Sequence, residues 1–248
     1  MVTVKSAHEI ELMRKANQIV RDTLDLVGRE IKAGMTTAQV DKLVYDYITS
    51  CGAKPSFLGY EGYPASACVS INEEVVHGIP SPRRFIEEGD IVSVDVGSIY
   101  KGYNGDAART FMIGQVDEEK KRLVEVTRQS FFEGVKVLKD GCRLGDLGWA
   151  IQSYVESNGF SVVRALVGHG IGTDMHEDPS VPNYGTPGRG MRLKAGMTIA
   201  IEPMVNAGTF DVKVLSDDWT VVTRDGRPSA HYENTVVITQ DGCEILSL

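Results

Sequence analysis

Gly89-Asp90-Ile91-Val92-Ser93-Val94-Asp95-Val96-Gly97, followed closely by Lys101-Gly102-Tyr103-Asn104-Gly105-Asp106-Ala107-Ala108-Arg109-Thr110-Phe111, is the stretch from which the fold is read. Ile91, Val92, Val94 and Val96 are β-branched and bounded by glycine at both ends, which predicts a short buried strand ending at Gly97. Asp95 sits inside it. An ionised carboxylate in an apolar strand is costly unless something pairs with it. A second strand is predicted over 107–113, with Asp106 at its entry. A hairpin would bring Asp95 and Asp106 face to face, and two carboxylates held together repel and call for a cation. The same residues also read as a turn aspartate plus one odd core acid.

Outward from this stretch, the chain repeats itself. Ser6-Ala7-His8-Glu9 and Thr36-Thr37-Ala38-Gln39 are capping boxes that open two helices, with stops expected at Gly34 and Gly52. The second helix carries Val40, Leu43, Val44, Tyr47 and Ile48 on one face. The same face returns 107 residues later as Leu147, Ala150, Ile151, Tyr154 and Val155. At that offset Gly34 becomes Gly141, Gly52 becomes Gly159, Gly89 becomes Gly196, and Asp95 becomes Glu202. The pattern predicts one domain over 1–248 built of two related halves, roughly 1–110 and 111–248, each a pair of helices followed by strands. Asp117-Glu118-Glu119 opens a connecting helix that runs on through Leu138, 172–197 reads as loop, and strands follow from 212. A site at the interface of the halves would draw residues from both.

Composition narrows the classes of function. A net charge of −8 over 248 residues argues against a nucleic-acid surface. No apolar run approaches the ~18 residues of a membrane span, and the first residues lack the pattern of a signal peptide. Cys51, Cys68, Cys142 and Cys243 are scattered and read as free thiols of a reducing compartment. The expectation is a cytoplasmic protein that binds neither nucleic acid nor membrane.

Five positions stand out as candidate metal ligands: Asp95 and Asp106 from the first half, and His169, Glu202 and Glu233 from the second. Glu202 repeats the placement of Asp95, an acid at an apolar strand, and Glu233 precedes the apolar run Thr235-Val236-Val237-Ile238. Four carboxylates balance two divalent cations, whereas one ion would leave excess buried charge. Mostly oxygen donors with one imidazole suit Mn, Fe, Co or Zn in an open site rather than a closed structural zinc.

At these residues the sequence resembles the methionine aminopeptidases, in their short bacterial type I form. The matching motifs are His77-Gly78-Ile79-Pro80, Val94-Asp95-Val96, Gly105-Asp106, Gly168-His169-Gly170-Ile171-Gly172, Met175-His176-Glu177, Ile201-Glu202-Pro203 and Tyr232-Glu233-Asn234-Thr235. They run in order through essentially the whole chain. The resemblance implies an α+β "pita-bread" fold, two pseudo-symmetric halves around a curved antiparallel sheet. It implies removal of the initiator methionine from nascent chains when the second residue is small, at the ribosome and by a monomer. Two divalent metal ions would be held by Asp95, Asp106, His169, Glu202 and Glu233, with Asp106 and Glu233 bridging, and a bridging hydroxide would attack the scissile carbonyl. By the same resemblance Glu202 shuttles protons, His176 stabilises the tetrahedral intermediate and His77 contacts the scissile nitrogen. Tyr60, Tyr63, Cys68, Phe57, Met175 and Trp219 match the pocket for the methionine side chain, where a thioether gains from aromatic contact.

Several residues depart from the family pattern. Phe57 stands where cysteine is frequent and Met175 where phenylalanine is frequent. Gly97 replaces a common threonine, Asn104 a common histidine and His231 a common glutamine. Residues around a metal's ligands tune its affinity, so these changes predict an altered metal preference or pH profile. Proline-specific peptidases share the implied fold but carry an extra N-terminal domain. Binding proteins of that fold lose the ligands.

Overall fold

The computed structural model describes residues 2–248. Helices α1 (Ala7–Glu30) and α2 (Thr37–Ser50) lead into strands β1 (Lys54–Pro55), β2 (Ala67–Ile71), β3 (Glu74–Val76), β4 (Ile91–Tyr100) and β5 (Tyr103–Met112). A second helix pair follows, α3 (Glu118–Val135) and α4 (Leu144–Ser157), with β6 (Ser161–Val162), β7 (Gly168–Gly170), β8 (Glu177–Val181) and β9 (Thr198–Ile201). The chain closes with β10 (Met204–Asn206), β11 (Val212–Val214), β12 (Val221–Thr223), β13 (Ser229–His231), β14 (Asn234–Ile238) and β15 (Cys243–Ile245). Every strand pairing among the described residues is antiparallel, and the two largest sheets run β1-β4-β2, with β5 on β4, and β15-β14-β9-β7-β8.

The offset of 107 residues recurs in the elements: α4 begins and ends 107 residues after α2, β6 after β1, and β9 begins 107 after β4. The helix faces repeat as well, since Val40, Val44 and Ile48 are buried in α2, and Leu147, Ile151 and Val155 in α4. Gly89 and Gly196, each at φ +87°, sit two residues before the matching strands, a conformation that favours glycine. Each half has its own core. One gathers Val20, Val44 and Ile48 against Val92, Val94 and Val96; the other gathers Phe131, Leu147 and Ile151 against Ile199, Ile201 and Val236.

Five boundaries differ from the sequence reading. Strand β4 does not stop at Gly97 but runs to Tyr100, because the chain reverses at Lys101 (φ +48°) and Gly102 (φ +86°). Asp106 therefore lies within β5, opposite Gly97, rather than at its entry. Helices α1 and α3 end at Glu30 and Val135, short of Gly34 and Leu138; after α1, Ile31 turns extended and packs on the first core. The region 172–197 contains β8, whose Pro179 is tolerated because β8 is the edge of its sheet.

The two halves meet at the hairpin. The Glu233 N–H donates to Ala108 O at 3.0 Å, joining β5 to the segment before β14. Helix α1 crosses the hairpin so closely that a Cβ on Gly105 would stand 2.7 Å from Asn17 N and 2.8 Å from Ala16 C. Backbone atoms cannot give way as a flexible side chain can. Gly105→Ala is therefore expected to destabilise the protein by about 1–3 kcal/mol or more, read as a lowered thermal midpoint; an unchanged midpoint would show that α1 does not set this spacing.

Candidate metal centre

Strand geometry brings the acids together. Asp95 faces Ala108 across the β4–β5 ladder and Asp106 faces Gly97, so the two acids stand diagonally on one sheet face. The Asp106 N–H is shared by Asn17 Oδ1 of α1 and Thr235 Oγ1 of β14, each at 3.2 Å, and the Thr235 hydroxyl donates back to Asp106 O at 2.9 Å. Arg109 donates to the Glu233 carbonyl at 2.6 Å, to Asn234 Oδ1 at 2.7 Å and to Ser247 O at 3.1 Å. It fastens backbone and amide, leaving the Glu233 carboxylate turned to the cluster.

The second half supplies the facing side. His169 lies in β7, where its Nδ1 donates to Gly170 O at 2.9 Å; a carbonyl can only accept, so Nε2 keeps its lone pair. That Nε2 faces Asp106 Oδ2 at 3.6 Å and Glu202 Oε1 at 3.7 Å. Glu202 follows the end of β9, its carbonyl held by Asn183 Nδ2 at 2.9 Å. One donor atom each from Asp106, His169 and Glu233 lies within 4.8 Å of the others, and so does one each from Asp95, His231 and Glu233.

These residues fit a divalent metal. Asp95 Oδ1, Asp106 Oδ1, Glu233 Oε1 and His231 Nε2 are buried atoms with no hydrogen-bond partner, a state that costs each group its lost solvation. Among the described residues no lysine or arginine forms an ion pair with Asp95, Asp106, Glu202 or Glu233. Burial first, then mutual repulsion, pushes Asp106, Glu202 and Glu233 well above the usual carboxylate range, and burial lifts Asp95 to about 7. Burial also lowers His169 and His77 to about 4 and His231 to about 3, so these imidazoles are neutral near pH 7. Crowded acids that resist ionisation beside neutral imidazoles are the donor set a divalent ion would relieve.

Above the cluster is a cavity of about 150 Å³. Asp95, Asp106, His169, Glu202 and Glu233 line it together with Phe57, Tyr60, Tyr63, Cys68, His77, Met175, His176 and Trp219. All the site residues expected from sequence thus face one space. Tyr63 meets Trp219 edge-on with ring centres 5.0 Å apart, and the His176 ring stands 4.3 Å from that of His169, its Nδ1 2.7 Å from the Tyr60 hydroxyl. His77 takes a left-handed backbone, φ +60°, rare for a residue with a side chain. Glu61, between the expected Tyr60 and Tyr63, also lines this pocket, and Ile79 and Ala65 pack against its apolar residues; of these Ala65 alone lies outside the matching stretches, since an alanine carries no signal of its own. A larger cavity of about 450 Å³, lined by Arg21, Arg109, Arg128 and His231 among others, holds none of the clustered acids.

Three departures from the family pattern acquire a physical meaning. Asn104 does not reach the acids: its amide donates to Gly172 O and Thr173 O, both at 3.1 Å, and its Oδ1 accepts from Ser56 Oγ at 2.9 Å. It ties down the loop leading to Met175 and His176. Gly97 and Phe57 belong together, because a Cβ on Gly97 would lie 2.8 Å from Phe57 Cε1 and 2.9 Å from Ser56 Cβ. The missing side chain makes room for the aromatic ring. Gly97→Ala is expected to destabilise by about 1–3 kcal/mol, and Phe57→Ala in the same chain to recover at least ~0.5 kcal/mol of it in a double-mutant cycle; simple additivity would show the two positions to be independent.

The sequence profile described as metallopeptidase family M24 matches residues 11–240. A methionine aminopeptidase of Clostridium acetobutylicum is 58% identical, with 100% of this chain and 99% of the relative covered. That of Escherichia coli is 42% identical, over 100% and 94%. In shape the chain superposes on the crystal structure of methionine aminopeptidase from Thermotoga maritima with a TM-score of 0.98, at 50% identity and over 100% and 99% of the two chains. A prolidase from Pyrococcus furiosus gives 0.79 at 25% identity, over 99% of this chain and 65% of the prolidase. The likeness to both groups identifies the architecture as the pita-bread fold. Taken with the acids and imidazoles gathered at the meeting of the halves, these matches place the chain in metallopeptidase family M24 and, within it, among the methionine aminopeptidases.

Proposed function

We propose that this chain is a metal-dependent aminopeptidase that removes an N-terminal methionine from peptides and nascent proteins whose second residue is small. The observation that carries the reading is the cluster of buried, unpartnered carboxylate oxygens opening into a small apolar cavity. Its substrates would be nascent chains at the ribosome in the cytoplasm, met by a monomer acting as one catalytic domain over 1–248, with halves roughly 1–110 and 111–248. Two divalent ions, of Mn, Fe, Co or Zn, would be held by Asp95, Asp106, His169, Glu202 and Glu233. Four carboxylates without a lysine or arginine support two ions over one.

Such ions would supply polarisation of the scissile carbonyl and a water ionised near neutral pH. The protein's own groups do the rest. Glu202, whose burial raises its hold on a proton, accepts the proton of the attacking water and returns it to the leaving amine. His176, braced by the Tyr60 hydroxyl, donates to the oxygen on which negative charge develops. His77 orients the scissile nitrogen. Tyr60, Tyr63, Cys68, Phe57, Met175 and Trp219 enclose the methionine side chain, where the thiol and aromatic edges suit a thioether. A cavity of about 150 Å³ is sized for one long side chain.

The test strips the protein with a chelator and restores Mn, Fe(II), Co or Zn singly. Release of methionine from Met-Ala-Ser but not from Met-Leu-Ser or Ala-Ala-Ser is expected, and its loss by at least ~100-fold in Asp106→Asn. Cleavage of Ala-Pro-Ser instead would move the chain to the prolidases. A second expectation concerns stability. Carboxyls raised in the fold keep protons that the unfolded chain has lost, so the folded state binds more protons and stability falls as pH rises. Above pH ~7.5 histidines are neutral in both states and do not oppose this. The chelated protein should melt lower at pH ~8.5 than at pH ~7.5, and a divalent ion should shrink the difference to the part owed to the buried thiols of Cys68, Cys142 and Cys243; a difference that the ion leaves unchanged would contradict the crowding of these acids.

A further inference from the structure

The geometry points to His231 as a sixth metal ligand, giving each of the two ions its own imidazole: His169 on one, His231 on the other. This rests on the two-ion reading above and specifies its chemistry. The His231 side chain is 1% exposed and its Nε2 has no hydrogen-bond partner. That atom faces Glu233 Oε2 at 3.8 Å and Glu202 Oε2 at 3.9 Å. These separations are too long for hydrogen bonds. They do suit two donors on one ion, because ligand atoms each ~2.1 Å from a metal stand roughly 3–4 Å apart.

The arrangement is paired. Asp95, His231 and Glu233 form one group of converging donors; Asp106, His169 and Glu233 form the other. Glu233 is common to both. Glu202 presents Oε1 to the His169 imidazole and Oε2 to that of His231. His231 is also fixed in place. Its N–H donates to Thr110 Oγ1 at 2.9 Å, the Thr110 hydroxyl donates to its carbonyl at 2.8 Å, and Met204 pairs with it across the β10–β13 ladder. Without His231, the ion beside Asp95 would have oxygen donors alone, a set that suits Mn or Mg. With it, that ion acquires the mixed donor set that favours Fe, Co or Zn. The two ions would then be of one class and bind with similar strength.

The test uses the full chain loaded with two equivalents of Co(II). Proton NMR should show two sets of strongly hyperfine-shifted imidazole resonances. His231→Gln should remove one set and His169→Gln the other. In calorimetric titration His231→Gln should weaken one of the two Co(II) ions at least ~10-fold and spare its neighbour. A residue that only positions Glu233 would change affinity without removing an imidazole resonance. Two bound Co(II) ions with one imidazole set in the unsubstituted protein would overturn the inference while leaving the two-ion reading intact. Binding of only one Co(II) would overturn both. Should His231→Gln fail to fold, as judged by circular dichroism, the spectrum of the unsubstituted protein decides alone.

Discussion

Four carboxylates lie in one small volume, and no lysine or arginine among the described residues answers them. Most of the local structure exists to hold that repulsion in place. Asp95 and Asp106 are set on one hairpin face by the β4–β5 register. Glu202 and Glu233 are brought opposite by β9 and by the hydrogen bond from Glu233 to Ala108. Arg109, the cation best placed to neutralise Glu233, is directed to carbonyls instead. A salt bridge there would satisfy the acid within the protein and leave less for an ion to do.

The neutral groups around the acids follow from the same constraint. Histidines beside carboxylates are usually charged. Here the acids resist ionisation, and burial, aided by neighbouring cationic or imidazole groups, keeps His77, His169 and His231 neutral. Each therefore offers a lone pair or a single N–H rather than a positive charge. The apolar wall of Phe57, Tyr63, Cys68 and Met175 adds to the effect by excluding water from the cavity.

Much of this was legible in the chain. Asp95 in a β-branched run, its counterpart Glu202 after another, and the glycines at matching offsets announced both the halves and the acids. The reason is local: a strand with an acid in it, or a glycine that needs positive φ, shows itself in a few neighbouring residues. The true lengths of β4 and β5 did not show. Gly97 reads as a strand end until Asp106 is seen opposite it. The dependence of Phe57 on Gly97 joins residues forty positions apart and leaves no local trace. His231 stands out in the sequence only as an odd residue two positions before Glu233. Its approach to Glu202 as well depends on the β10–β13 pairing, which no periodicity reveals.

The bond from Glu233 to Ala108 has a consequence for the order of events during synthesis. Asn17, Asp95, Asp106, His169 and Glu202 are all made before Glu233, yet the cluster closes only when that residue reaches β5. Contacts spanning Asn17 to Thr235 at one aspartate are distant in sequence and form late. A nascent chain halted anywhere short of residue 233 holds several of the clustered side chains but lacks the residue that ties them to β5. The cluster is thereby completed only when nearly all of the chain described here has been translated.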